Sequence, residues 1–142
     1  MSSSLLSPEI LDALKGYASN LDRSVTMVLQ IGEHPKRQEL VDFLEGIAGV
    51  SDLLQLEERS LDGLLRGPLS FLLESQGRDT GIRFSGIPSG HEFNSLVLAI
   101  LQSGGGDLKL GEDVERTISS IDKPMNFKTF ISLSCHNCPD VV

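Results

Sequence analysis

The chain has 142 residues and a formal net charge of −8, because 20 acidic residues outnumber 12 basic ones. Nucleic acid is excluded as a partner, since binding phosphates requires clustered lysines and arginines and the basic residues here are scattered. Hydrophobic residues make up 39% of the chain, which is enough for a core, and neither a signal peptide nor a membrane-spanning segment is evident. We therefore expect a soluble, cytoplasmic protein without membrane contact, of one domain or one domain plus part of another.

The first hundred residues alternate between the apolar spacing of helices and that of strands. Ser7 followed by Pro8 indicates a helix start, because serine caps a helix and proline suits its first turn. A polar turn at 76–81 indicates that the last two strands form a hairpin. In chain order the predicted elements are helix 8–21, strand 25–31, helix 40–48, strands 53–57, 69–73 and 82–84, and helix 93–101.

This order of elements predicts the fold class. Strands before and after a crossover helix pair in parallel, whereas the two strands of a hairpin pair antiparallel. The sequence therefore predicts an α/β protein with a mixed sheet and helices on both of its faces. The order matches a thioredoxin-like fold with an extra leading helix.

Beyond Gly104-Gly105-Gly106, which we interpret as a linker, the same order begins again. A helix is predicted from Glu112, and an alternating apolar run follows at 125–133, so the pattern repeats with a period of about 100 residues. We expect 125–133 to be a strand, paired with the sheet edge of the first unit or with a second copy of the chain around a two-fold axis. The predicted domains are a complete unit, 1–104, and the start of a second unit, 105–142.

Both cysteines of the chain, Cys135 and Cys138, follow this run. Their spacing allows a disulfide within one helical turn. If the helix begins at Cys135, its unpaired N–H groups and its dipole lower the pKa of that thiol, so Cys135 is the predicted attacking thiol and Cys138 the resolving partner. His136 can add positive charge when protonated, and Pro139 suits an early helical position.

Three alternatives to a redox role for the cysteine pair are weaker. A structural zinc site needs four ligands, and the only further histidines are His34 and His91. A permanent disulfide closing so small a loop restricts the unfolded chain very little, and two accidental thiols do not account for the strand and helix around them. We predict no metal or cofactor site, because Gly104-Gly105-Gly106 follows a helix and lacks the lysine and serine or threonine of a phosphate loop.

Two runs of the sequence are distinctive: Gly90-His91-Glu92-Phe93-Asn94-Ser95-Leu96-Val97-Leu98-Ala99 and Ser132-Leu133-Ser134-Cys135-His136-Asn137-Cys138-Pro139-Asp140-Val141-Val142. Together they resemble the N-terminal region of the alkyl hydroperoxide reductase flavoprotein subunit, and the resemblance extends over essentially the whole chain. In that family two thioredoxin-like units lie side by side, and only the second keeps a C-x-x-C. The resemblance implies a homodimeric parent that relays electrons from a flavin-bearing domain to a peroxiredoxin, with FAD and NADH bound outside this sequence.

The first unit is predicted to have the scaffold without the sulfur. Laid strand on strand, Glu33 and Lys36 occupy the places of Cys135 and Cys138. By resemblance, Pro68 lies where thioredoxin-like folds keep a cis-proline, although a trans-proline in an ordinary turn is the commoner case.

Two further expectations concern the whole chain. His91 and Glu92 are explained most simply as the capped, solvated start of a helix. Two residues after Asp140 cannot complete a second unit, so we expect little or no turnover from this chain alone even if the parent is a disulfide oxidoreductase. The alternative function is a non-catalytic interaction or docking module.

Overall fold

A computed structural model of the chain describes residues 5–127, 130, 132 and 134–138. The elements follow the predicted order up to residue 103. The helices are α1 Pro8–Ala18, α2 Arg37–Ala48, α3 Glu92–Ser103 and α4 Glu112–Ser119, and the strands are β1 Val25–Gln30, β2 Leu54–Arg59, β3 Ser70–Ser75 and β4 Arg78–Ser85.

The start of α1 forms as its sequence predicts. The Oγ of Ser7 accepts a hydrogen bond from the backbone N–H of Ile10 at 3.2 Å, and Pro8 is the first helical residue. Leu14 and Ala18 are buried, whereas Tyr17 is 53% exposed although its spacing placed it on the same apolar stripe. The helix ends at Ala18, so the stripe is shorter than predicted.

The sheet is mixed, with strand order β2-β1-β3-β4. β1 pairs in parallel with β2 and antiparallel with β3, so that Met27 lies between Leu56 and Leu73. β3 and β4 form the predicted antiparallel hairpin. Its two-residue turn, Gln76-Gly77, has φ values of 51° and 78°, and positive φ at both central residues matches the right-handed twist of the strands.

The three helices α1, α2 and α3 pack on one face of this sheet, not on both. Their apolar residues form one cluster with Val25, Met27 and Leu29, which share that face of β1. Val28 and Leu72 are buried on the opposite face, where Arg59 bridges Glu57 and Glu74. The expectation of helices on both faces is therefore not met by the described residues, because β2 connects to β3 without a helix that could cover the second face.

The glycine run after α3 is a packed turn. The carbonyl oxygen of Gly104 accepts hydrogen bonds from the N–H groups of Asp22 and Arg23 at 2.8 and 3.1 Å. A Cβ atom on Gly104 would lie 2.2 Å from the Cδ2 atom of Leu21, and Gly105 has a φ of 103°. The linker is thus fixed to the region before β1, and its glycines are required by close approach and by positive φ.

Beyond this turn, α4 forms where it was predicted, but its apolar residues Val114 and Ile118 are 47% and 53% exposed. The prediction of a strand over 125–133 is wrong for the described residues 125–127, 130 and 132, none of which belongs to a strand. Phe127 and Phe130 are 80% and 93% exposed. A strand is stabilised by pairing, and the described chain offers this segment no strand partner. The other four residues of 125–133 lie outside the described part of the chain.

None of the helices in the described part of the chain combines the length and hydropathy that crossing a bilayer requires.

Candidate redox site

Cys135 and Cys138 are free thiols, and both are partly exposed. The backbone N–H of Cys135 donates to the carbonyl oxygen of Ser132 at 3.0 Å, which closes a turn ahead of the cysteine pair. Cys138 is the first described residue after this turn that is helical. Cys135 therefore lies just before a helix start, where sequence analysis placed it within the first turn.

The two thiols are electrostatically unequal. A hydrogen bond from the Cys138 thiol, together with the backbone N–H groups of Asn137 and Cys138, lowers the pKa of Cys135. The same contact with Cys135 raises the pKa of Cys138, because it stabilises the protonated form that donates the bond. Both directions agree with the predicted roles of attacking and resolving thiol, which stay predictions.

The ring of His136, between the two cysteines, contacts the ring of His91. The ring centroids lie 4.6 Å apart and the planes meet at 88°, which is an edge-to-face arrangement. His91 immediately precedes α3 and makes no side-chain capping bond. Sequence analysis therefore missed His91 by assigning it to a solvated helix start. The available signal was that both distinctive runs of the sequence carry a histidine.

The remaining predicted site residues lie elsewhere or outside the described chain. Pro139 is outside the described residues. Pro68 packs at the end of β1, where a Cβ atom on Gly32 would lie 2.8 Å from its Cγ atom. The cis conformation that the resemblance implied for Pro68 is wrong, since the described chain contains no cis peptide bond. Pro68 occupies an ordinary turn, which does not require the costly isomer.

The loop between β1 and α2, which holds Glu33 and Lys36, is closed by an arginine. Nη1 of Arg37 donates to the carbonyl oxygens of Gln30 at 2.6 Å and Pro68 at 2.9 Å. Nη2 of the same side chain donates to Oε1 of Glu58 at 3.0 Å. We call this set of bonds the Arg37 clamp, and it ties together the end of β1, strand β2 and the turn before β3.

A metal centre finds no geometric support among the described residues, where histidine, cysteine and acidic side chains form no group of three or more that could hold an ion.

No protein-family model matches the chain. Two curated relatives, the alkyl hydroperoxide reductase flavoproteins (AhpF) of Pseudomonas aeruginosa and Staphylococcus aureus, are each 41% identical to it over 138 residues, or 97% of its length. The crystal structure of the NTD_N/C domain of AhpF from Enterococcus faecalis superposes with a TM-score of 0.82 at 32% identity. The match covers 96% of this chain and 70% of that one. The chain belongs to the AhpF family.

Within this family the chain corresponds to a part, since it spans 26% of the length of the two curated relatives. A protein disulfide oxidoreductase from Aeropyrum pernix also superposes, with a TM-score of 0.74 at 18% identity over 94% of this chain and 62% of that one. That likeness shows the fold alone. The predicted fold class, a thioredoxin-like mixed sheet flanked by helices, is confirmed.

Proposed function

We propose that this chain is the N-terminal part of an NADH-dependent peroxiredoxin reductase, in which Cys135 and Cys138 relay electrons by alternating between dithiol and disulfide. The observation that carries the proposal is the pair of unequal thiols just before a helix, in a chain of the AhpF family. The proposal includes a cytoplasmic, homodimeric parent protein that takes part in peroxide detoxification.

The proposed relay begins with the reduced pair. The thiolate of Cys135 attacks one sulfur of a peroxiredoxin disulfide, so that a mixed disulfide forms and the other peroxiredoxin sulfur leaves as a thiolate. Cys138 then loses its proton and attacks the sulfur of Cys135. The second peroxiredoxin sulfur leaves, and Cys135 and Cys138 become a disulfide. Two electrons and two protons have then passed to the partner.

The oxidised pair needs two electrons before the next cycle, and FAD and NADH supply them when bound. The glycine run of this chain does not fit a nucleotide, because it follows a helix and is filled by Leu21 and by the carbonyl oxygen of Leu101, which lies 2.7 Å from a Cβ placed on Gly106. We therefore place both cofactors in a flavin-bearing domain outside this sequence.

The proposed division into two units follows from the same reasoning. Residues 1–104 form a thioredoxin-like unit without active cysteines, whose active-site loop is replaced by the Arg37 clamp. Residues 105–142 begin a second unit that carries the dithiol. Only the second unit exchanges electrons in this proposal.

The clamp also favours a second candidate function, a non-catalytic docking module. The one sheet of the described chain has no cysteine, and its equivalent of the cysteine loop is tied down by three hydrogen bonds. In that case the chain binds a partner, and electron transfer does not depend on Cys135.

The two candidates are distinguished in a protein extended to the length of the relatives, by following NADH oxidation coupled to reduction of a peroxiredoxin disulfide. We expect Cys135→Ser to abolish transfer, because no thiolate remains to attack. We expect Cys138→Ser to leave a mixed disulfide on Cys135, visible by mass spectrometry, because nothing resolves it. Ser134→Ala is the matched control and should transfer normally.

Two outcomes would change the assignment. A trapped adduct on Cys138, in the Cys135→Ser variant, would reverse the two roles. Unchanged transfer in a variant that lacks both thiols would replace the relay with the docking module.

A further inference from the structure

The contact between His91 and His136 joins two distant parts of the chain at the thiols. His91 continues the backbone conformation of α3, with φ and ψ of −66° and −32°. That helix is firmly anchored, since Leu96 and Ile100 are buried and the ring of Phe93 meets that of Phe43 at a centroid distance of 6.0 Å. His91 is therefore mounted on a rigid element.

His136, in contrast, lies on a segment with little packing of its own. The described residues from 121 to 137, apart from partly exposed Cys135, are all exposed, and none of them belongs to a strand. The ring of His91 is thus one of the few described contacts that restrain the region between the two cysteines. The ring is available for this contact because it makes no capping bond of its own.

The arrangement of the rings has a chemical consequence. In an edge-to-face pair the positive edge of one ring meets the negative face of the other. One protonated imidazole against a neutral one strengthens the contact, whereas two protonated rings 4.6 Å apart repel each other. Glu92 follows His91 in the chain, and Cys135 and Cys138 flank His136, so these are the neighbouring groups whose charge the rings can sense.

We propose that His91 is a positioning residue of the redox site: its ring holds His136 beside the thiols, and through His136 it sets the reactivity of Cys135. The inference rests on the proposed function. It assigns to the first unit, which has no active cysteine, a side chain on which the second unit's nucleophile depends.

The test uses this chain itself and measures the rate at which iodoacetamide alkylates Cys135, resolved from Cys138 by peptide mass spectrometry, between pH 5 and pH 9. The variants are His91→Ala, His91→Phe, His136→Ala and the double variant His91→Ala with His136→Ala. Circular dichroism checks that each variant keeps the fold.

We expect His91→Ala to slow alkylation of Cys135 at pH 6 to 7 by roughly two- to tenfold, the range that an edge-to-face ring pair corresponds to. His91→Phe should restore most of the rate, because it keeps a ring face for protonated His136. In the absence of His136, the His91→Ala substitution should change nothing further, since its effect passes through that ring.

Three results would overturn the inference: an unchanged rate in folded His91→Ala, the same fall in rate when His136 is already alanine, or no recovery in His91→Phe. Each leaves the proposed function standing if Cys135 is alkylated faster than a cysteine in an unstructured peptide. A Cys135 no more reactive than such a peptide would instead remove the basis of the proposed function.

Discussion

Two regions of this chain have the same order of sequence patterns and different structures. In the first, α1 leads into the alternating run of β1, whose Val25, Met27 and Leu29 are fully buried. In the second, α4 leads into the alternating run 125–133, whose Phe127 and Phe130 are 80% and 93% exposed. The first run lies between two partner strands, and the described part of the second has none.

The difference shows what alternation by itself determines. An alternating apolar run gives a segment two faces, but its conformation is stabilised only when neighbouring strands satisfy its N–H and C=O groups. β1 has β2 and β3 within the same chain, so its pattern becomes structure. The second run needs partners that the described residues do not provide.

The loops after these runs differ in a corresponding way. After β1, the Arg37 clamp closes the loop with two backbone carbonyls and a carboxylate. In a strand-on-strand alignment the residue that falls on Arg37 is Pro139, which has no hydrogen-bond donor. The first loop is therefore closed, whereas the second keeps two partly exposed thiols.

The largest effect should come from emptying the buried run. Leu29→Ala should lower the free energy of unfolding by about 2–5 kcal/mol, because it leaves a cavity between the sheet and its helices. Phe127→Ala and Phe130→Ala are the counterparts in the exposed run and should stay within about 0.5 kcal/mol of the wild type. Urea denaturation measures all three. A large loss from either phenylalanine would show that the second run is packed in solution.

The clamp should contribute the next largest effect. Arg37→Ala removes three hydrogen bonds from a charged donor and should cost about 2–3 kcal/mol of unfolding free energy, measured by urea denaturation. Arg37→Lys should recover only part, since an ammonium cannot reproduce the planar fork. Arg66→Ala, at an exposed position, is the control. Equal losses at positions 37 and 66 would contradict the clamp.

A smaller effect is expected in the hairpin that completes the buried region. Arg83 and the N–H of Gly81 hold the pKa of Asp79 at about 2. Because this folded-state pKa lies below the unfolded value of about 3.9, the stability it contributes is present above pH 4 and is lost as the pH falls towards 2. The pair is partly exposed, so Asp79→Asn should cost less than about 1 kcal/mol at pH 7.

Thermal unfolding from pH 7 to pH 2 follows the Asp79 effect, with Asp12→Asn as the control. The difference between Asp79→Asn and the wild type should shrink as the pH falls. A difference that is constant with pH would show that the ion pair is not its cause.

The smallest effect should come from the residues that replace the cysteines. Glu33→Gln and Lys36→Met should leave electron transfer by the extended protein nearly unchanged, since neither residue exchanges electrons. The exposed pair between Lys36 and Glu39 limits the stability cost of Lys36→Met to less than about 1 kcal/mol. The NADH-coupled assay measures transfer. A large fall in rate with the fold intact would show that the first unit does more than support the second.

The sequence by itself determined the features that depend on near neighbours along the chain. The Ser7 cap, the order of helices and strands, the β3–β4 hairpin and the mixed sheet all follow from local spacing and turn chemistry. The cysteine pair could be singled out in the same way, because a C-x-x-C is a local motif.

Tertiary structure decided the features that depend on residues far apart in the sequence. It placed all three helices of the sheet region on one face, made a packed turn of the glycine run, kept Pro68 trans and left the described part of the second run unpaired. It also brought His91 to His136. Spacing cannot reveal such contacts, because periodicity reports which face of an element a side chain occupies and not what lies against that face.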